Sequence, residues 1–268
     1  WSWSSLFEDF DQDGHQDLFI SNGIPKRPNN LDFIKFVSSD QIQKKINNTR
    51  LVDQEALNMM PQGKVHNYVF QGDGGIGFID KSGDWIKKDS LISGATALGD
   101  LDNDGDLDLV VSNINEPAAL YVNQTNDKNN YLKLKFELPN ANKLGIGTKV
   151  FSYLGEQVQY KELYTVRGLQ SSSEPLIHFG YGDAVTVDSL RIIWPDRTTQ
   201  VLKNVQTNQL LTLRPKGATS LDPAFFSPAK GLLFSKTQNN LGIDFDHREN
   251  NYNDFNVTKL IPYQVTDR

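Results

Sequence analysis

Two stretches of this 268-residue chain place carboxylates on alternate positions: Asp9, Asp11 and Asp13 with Gly14 and Asp17, and Asp100, Asp102 and Asp104 with Gly105 and Asp108. Each reads D-x-D-x-D-G-x-x-D and feeds a short apolar run. Like charges at that density repel, so the pattern calls for a cation. Calcium takes about six to eight oxygen ligands, and alternate carboxylates can wrap one ion while glycine at the sixth place lets the chain turn back. The seventh place offers a main-chain carbonyl, which brings His15 and Asp106 into the ligand set through backbone oxygen. Asp17 and Asp108, at the ninth place, close the two sites.

The loops are not EF-hands, which need a bidentate Glu at the twelfth place and a helix after it. Ile20 and Val111 stand there instead, inside strand-like runs. Hard carboxylate oxygens favour calcium over zinc or copper. Magnesium is the weaker candidate, because it tolerates crowded all-protein cages poorly. A cage made wholly of protein ligands keeps no open position for substrate, unlike a catalytic metal site. The two ions are therefore expected to be structural pins.

Other groups offer less. The four histidines, His15, His66, His178 and His247, show no zinc-type spacing, and His178 in "IHFGYG" reads as buried and hydrogen-bonded. Glu162, Glu174, Asp188 and Asp196 could pair for glycoside chemistry. No nucleophile, base and orienting group can be named together, so the chain reads as non-enzymatic. Gly72–Gly75 and Gly145–Gly147 are turns and not phosphate loops, since neither opens a helix. Trp1, Trp3, Trp85 and Trp194 could stack on sugars. The alternation of Trp1 and Trp3, and the place of Trp194 at a strand end, favour core packing.

The elements that must hold these residues are mostly strands. "LFISN" follows the first Asp loop; "NYVFQGDGGIGFID" gives two runs around a Gly-rich turn; "LDLVVSN" and "ALYVN" follow the second loop. Helical spacing interrupts them. Leu31, Ile34, Val37, Ile42 and Ile46 form one stripe with Asn30 as N-cap, and a second helix is expected over Val52–Met60. Together they make a helical insertion at about 30–62. After the polar break 126–130, "YLKLKFEL" alternates Leu132, Leu134, Phe136 and Leu138 against Lys133, Lys135 and Glu137, the pattern of a half-buried antiparallel strand. Hairpins follow around Gly155 and around Pro195–Thr198, then a last strand in "NQLLTLRP". Residues 217–228 read as a linker.

A formal charge of −6 and a pI near 5.2 argue against nucleic acid as a partner. No apolar run approaches the roughly 20 residues of a membrane helix. Cysteine is absent, so thiol and disulfide chemistry are excluded. The chain opens on Trp1 without Met and without a signal-type leader, and it reads as a piece of a longer protein.

At the Asp loops the chain resembles FG-GAP/VCBS repeats, the integrin-α-type blades of β-propellers. "NYVFQGDGGIGFIDKSGDWI" followed by "GATALGDLDNDGDLDLVVSN" is similar to a whole repeat. Residues 130–213 resemble the ASPIC/UnbV domain through "GIGTKV", "GLQSSSEP", "HFGYG", "VDSLRIIWPD" and "NVQTNQLLTL". Arg197 departs from that pattern, which has Gly after the "WPD" turn. The resemblance implies a mainly β chain. Residues 1–126 would be partial propeller blades, 127–215 an antiparallel β-sandwich-like ASPIC/UnbV domain, and 216–268 a linker and the first strands of a following, truncated propeller. The insertion and the tail resemble long Bacteroidetes-type surface proteins, which implies a secreted or outer-membrane, cell-surface location. The expected role is a non-enzymatic extracellular calcium-binding module for adhesion or ligand capture. Its partner would be a protein or a glycan, with no membrane insertion. The alternative is a carbohydrate-binding or glycan-processing accessory, and after it a hydrolase. Exposed Trp3, Trp85 or Trp194 would favour the carbohydrate reading.

Overall fold

A computed structural model describes residues 1–39, 58–125, 128–139, 141–226 and 242. The chain divides into two units, Trp1–Leu221 and Asp222–Arg268. In the second, the described residues form a 3-10 turn at Pro223–Phe226, where the Asp222 carboxylate accepts the Ala224 N–H at 2.9 Å. All that follows concerns the first unit, which is mainly β.

The first sheet is an antiparallel meander of β1 (Ser2–Glu8), β2 (Asp17–Asn22), β3 (Tyr68–Gly72) and β4 (Phe78–Asp80) in that spatial order. Between β2 and β3 lies α1 (Leu31–Val37), capped as expected: the Asn30 side chain accepts the Phe33 N–H at 3.0 Å. The rest of the helical stripe, at Ile42 and Ile46, and the second helix up to residue 57 lie outside the described residues. The second sheet is a shorter meander, β5 (Ser93–Gly99), β6 (Asp108–Asn113) and β7 (Ala119–Tyr121).

The first hairpins of the two meanders match in register, as their loops match in sequence. Ser2 pairs with Asn22 and Glu8 with Asp17; Ser93 pairs with Asn113 and Gly99 with Asp108. Both ladders carry an irregularity at the same place, between Ser2 and Ser5 and between Ser93 and Thr96. They bury one common core, including Leu6, Phe19, Val69, Leu98, Leu109 and Val111. Each Asp loop is the first hairpin connection of its meander. The described residues do not close a ring of such sheets.

The remaining strands are β8 (Tyr131–Phe136), β9 (Lys149–Leu154), β10 (Gln157–Glu162), β11 (Ile177–Gly180), β12 (Thr186–Ile193), β13 (Thr198–Gln206), β14 (Gln209–Leu213) and β15 (Thr219–Ser220). They build a three-stranded sheet, β11-β8-β14, and a five-stranded sheet, β10-β9-β12-β13-β15. The two share a core of Leu132, Leu134, Phe136, Phe179, Leu190, Ile192 and Trp194. The Phe136 and Trp194 rings meet edge-on, 5.8 Å between centroids.

Four sequence expectations need correction. β8 is antiparallel to β11 but parallel to β14; the five strands between them supply the long crossover that parallel pairing requires. Lys133, expected on the solvent side of β8, is buried, because the second Asp loop covers that side. Trp1 and Trp3 are exposed and stack on each other, 6.4 Å between centroids. On β1 it is Ser4, Leu6 and Glu8 that alternate inward. Residues 219–220, read as linker, add β15 to the edge of β13.

Candidate metal centres

Residues 9–16 connect β1 to β2, and residues 100–107 connect β5 to β6. Several hydrogen bonds recur in both, while another, from the Asp13 N–H to Asp9 Oδ1 at 3.0 Å, has no counterpart at Asp100 Oδ1. The ninth-place carboxylate accepts an N–H from the second residue: Phe10 to Asp17 and Leu101 to Asp108, both 2.8 Å. Its other oxygen accepts from a neighbouring segment, Gly72 to Asp17 at 3.0 Å and Asn123 to Asp108 at 2.8 Å. The first-place carboxylate accepts the N–H of the sixth-place glycine, Gly14 to Asp9 at 2.9 Å and Gly105 to Asp100 at 3.0 Å. The fifth place accepts from the seventh, His15 to Asp13 at 2.8 Å and Asp106 to Asp104 at 3.2 Å.

Backbone shape repeats too. Gly14 and Gly105 have φ of 94° and 106°, outside the range that residues with a Cβ adopt readily. Gln12 and Asn103, at the fourth place, are left-handed at 60° and 63°. Asparagine visits that region readily; glutamine has no such ease. Nothing local in the sequence marks Gln12 for it.

Three carboxylates converge in each loop. Asp9, Asp11 and Asp17 form one triplet, and Asp100, Asp102 and Asp108 the other, with one oxygen from each within 4.8 Å of the rest. At Ca–O distances of about 2.4 Å, one ion can touch all three. Asp13 and Asp104 stand outside these triplets, their carboxylates turned to the backbone N–H groups of His15 and Asp106. The His15 ring lies against Gly74, where a Cβ would come within 2.8 Å of it. The buried Asp106 carboxylate accepts the Thr125 N–H at 2.8 Å.

The electrostatics of the first triplet fit a cation. Burial pushes the Asp9 carboxyl up to about 8, opposed by Lys161 and reinforced by Asp13. Burial likewise lifts Asp17 to about 7 and, with Asp13 beside it, raises Asp11. Carboxylates held this close and this dry resist ionising together unless a positive charge joins them. In the second triplet, Asp100 has its Oδ2 engaged by Lys133 and by the Gly105 N–H. Its Oδ1 is buried without a hydrogen-bond partner. A buried carboxylate oxygen left bare is costly, and a hard cation is the partner its chemistry suits.

His178, buried and hydrogen-bonded as expected, and several groups the sequence did not flag seat both loops. Gln12 donates Nε2–H to Gly105 O at 3.1 Å, and the His178 Nε2 meets the same oxygen at 2.8 Å. Asn123 donates to Phe10 O at 2.7 Å and to Leu107 O at 3.2 Å. Asn129 donates to Asp11 O at 2.7 Å, and Gly182 N–H to Gln12 O at 2.8 Å. β11 lies so close that a Cβ at Gly180 would stand 2.2 Å from Asp9 Oδ2 and 2.4 Å from Gln12 Cα. Beside this joint Glu8 pairs with Lys161 and Arg167. Burial opposes its charge, but the two cations hold its carboxyl below the usual range.

The candidate acid pairs are occupied elsewhere. Glu162 pairs with Lys149 at 2.7 Å; Asp188 accepts the Gly155 N–H, and Asp196 the Thr198 N–H and hydroxyl. Glu174 accepts the Asp100 N–H at 3.4 Å.

Residues 138–220 match the family described as ASPIC and UnbV. The matched stretch begins just after β8, runs to β15 and leaves both aspartate loops outside it. No curated protein matches the chain.

Proposed function

We propose that this chain is a non-enzymatic extracellular module in which two calcium ions pin adjacent β-propeller blades against an ASPIC/UnbV β domain, serving adhesion or ligand capture. On this reading the meanders β1–β4 and β5–β7 are FG-GAP/VCBS-type blades. One observation carries it. Two loops in successive meanders share one hydrogen-bond framework, and each gathers three carboxylates within 4.8 Å at the same hairpin. A solvated acidic turn has no reason to repeat that framework. Neither triplet sits on an independent lobe, so ions there would stiffen the joint that presents surrounding loops to a partner. Calcium is favoured over magnesium by the crowding of protein oxygens.

The test is thermal unfolding and calorimetry of chelator-stripped protein given calcium or magnesium through the millimolar range. A ligand bound only by the folded state adds about 2.7 kcal/mol at a hundredfold excess over Kd, and each kcal/mol moves the midpoint of a unit this size by about 2–4 °C. The expected result is a calcium-selective rise with two equivalents bound. Asp11→Ala combined with Asp102→Ala should abolish it. A midpoint indifferent to calcium sinks the reading.

A further inference from the structure

Between the two meanders opens a cleft of about 510 Å³. It lies within the size range of small-ligand pockets, roughly 300–1,000 Å³. Its floor is apolar, from Val69 and Leu109 of the common core. Its walls are not. Trp85, with 36% of its surface exposed, and Tyr121 both line it. Asp84 and Lys81 bring a carboxylate and an ammonium to the same opening, and neither has an ion-pair partner among the described residues. A wide aromatic face, a hydroxyl-accepting carboxylate and a hydroxyl-donating ammonium over an apolar floor are complementary to a ring with one C–H face and a rim of hydroxyls.

We infer that this cleft binds a single neutral sugar residue, stacked on Trp85 and hydrogen-bonded by Asp84 and Lys81. Two carboxylates, Asp11 and Asp84, and two ammonium groups, Lys81 and Lys128, line the cleft, and charges balanced in this way favour a ligand of neither net sign, which is why a neutral sugar fits better than a phosphate or a peptide terminus. The exposed Trp1–Trp3 stack lacks these features: it is no part of the cleft lining, and the Trp3 indole N–H is already given to Gly23 O at 2.5 Å. The inference rests on the ligand-capture reading above and supplies the class of ligand.

The experiment uses the full chain in calcium at about 5 mM, above the range of extracellular calcium modules. Five free sugars serve as probes: D-glucose, D-galactose, D-mannose, N-acetyl-D-glucosamine and L-fucose. Calorimetry and ligand-observed NMR are run up to about 50 mM, enough to saturate a millimolar site. At least one sugar should saturate. Its affinity should fall about tenfold or more in Trp85→Ala and in Asp84→Asn, and stay unchanged in Trp1→Ala. Asp84 is exposed, so its variant reads binding even where the Trp85 variant unfolds. Silence from all five sugars overturns the inference, as does binding that survives both variants. Silence together with the calcium response leaves the calcium reading standing alone. Sugar binding through Trp85 without a calcium response does the reverse.

Discussion

Gly180 and Gly182 sit two residues apart and make opposite demands. A Cβ at Gly180 would collide with the Gln12 main chain, which cannot swing aside as a side-chain tip can. Gly182 has open space around it and only a left-handed φ of 55°. Gly180→Ala should therefore cost about 3 kcal/mol by overpacking, and Gly182→Ala about 1 kcal/mol by backbone strain. Urea unfolding of the two variants side by side would check this, and equal losses would contradict it. Arg197 is the converse case. It holds φ of 65° in the β12–β13 turn, where its N–H donates to Trp194 O at 2.9 Å. The turn expected for glycine is thus kept by a residue that strains to adopt it. Arg197→Gly should raise stability by about 1 kcal/mol, read as a higher urea midpoint with an unchanged slope.

At the scale of elements, alternation and turn chemistry made much of the fold legible. The hairpin around Gly155, the turn after Trp194, the Asn30 cap and the runs that became β3, β4, β6 and β7 all follow from local pattern. What stayed hidden depends on partners distant in the chain. Lys133 occupies an outward-facing place in "YLKLKFEL" by any local rule, and only the second Asp loop, 33 residues earlier, makes that face interior. The parallel partner of β8 arrives 77 residues later, with Gln209 opposite Leu132. The triplets were legible as carboxylates on alternate places, while the frame that repeats around them was not, since most of it is main-chain amide. His178, on β11, shows what such a joint does to a titrating group. Burial first, then the nearby Lys161 and Lys133, lower its pKa from 6.5 to about 4, against the pull of Gly105 O and Glu8. The unfolded chain takes up this proton first as pH falls. Stability from a neutral His178 is therefore full above about pH 6.5 and lost as pH drops toward 4, by about 3 kcal/mol. Denaturant unfolding at pH 7 and pH 4.5 should show a steeper acid loss in wild type than in His178→Gln. Parallel losses would rule that out.

Across the whole first unit, the two meanders share a core, and among the described residues the two sheets of β8–β15 share none of it; the two parts meet through hydrogen bonds, ion pairs and a glycine-thin approach at β11. Polar joints of this kind hold geometry more than they add stability, since each bond made inside replaces one made to water. The aspartate loops lie along that joint, where an ion of charge +2 would have most leverage over the arrangement.

The bond from Gln12 to Gly105 has a consequence for how these copies can change. Two loops with one framework would tolerate the same substitutions if their surroundings were alike. At the fourth place of the loop that symmetry has gone. Glutamine in the first copy reaches across to the second, and asparagine, one methylene shorter, fills the same place in the second copy. Gln12→Asn would suit the left-handed backbone better, yet it withdraws the amide from Gly105 O inside a buried seam. It should cost about 1–3 kcal/mol, whereas Asn103→Gln, with Asn103 exposed, should cost under about 1 kcal/mol. The two loops are thus a left part and a right part, and neither sequence could stand in the other's place without loss of the bond across the seam.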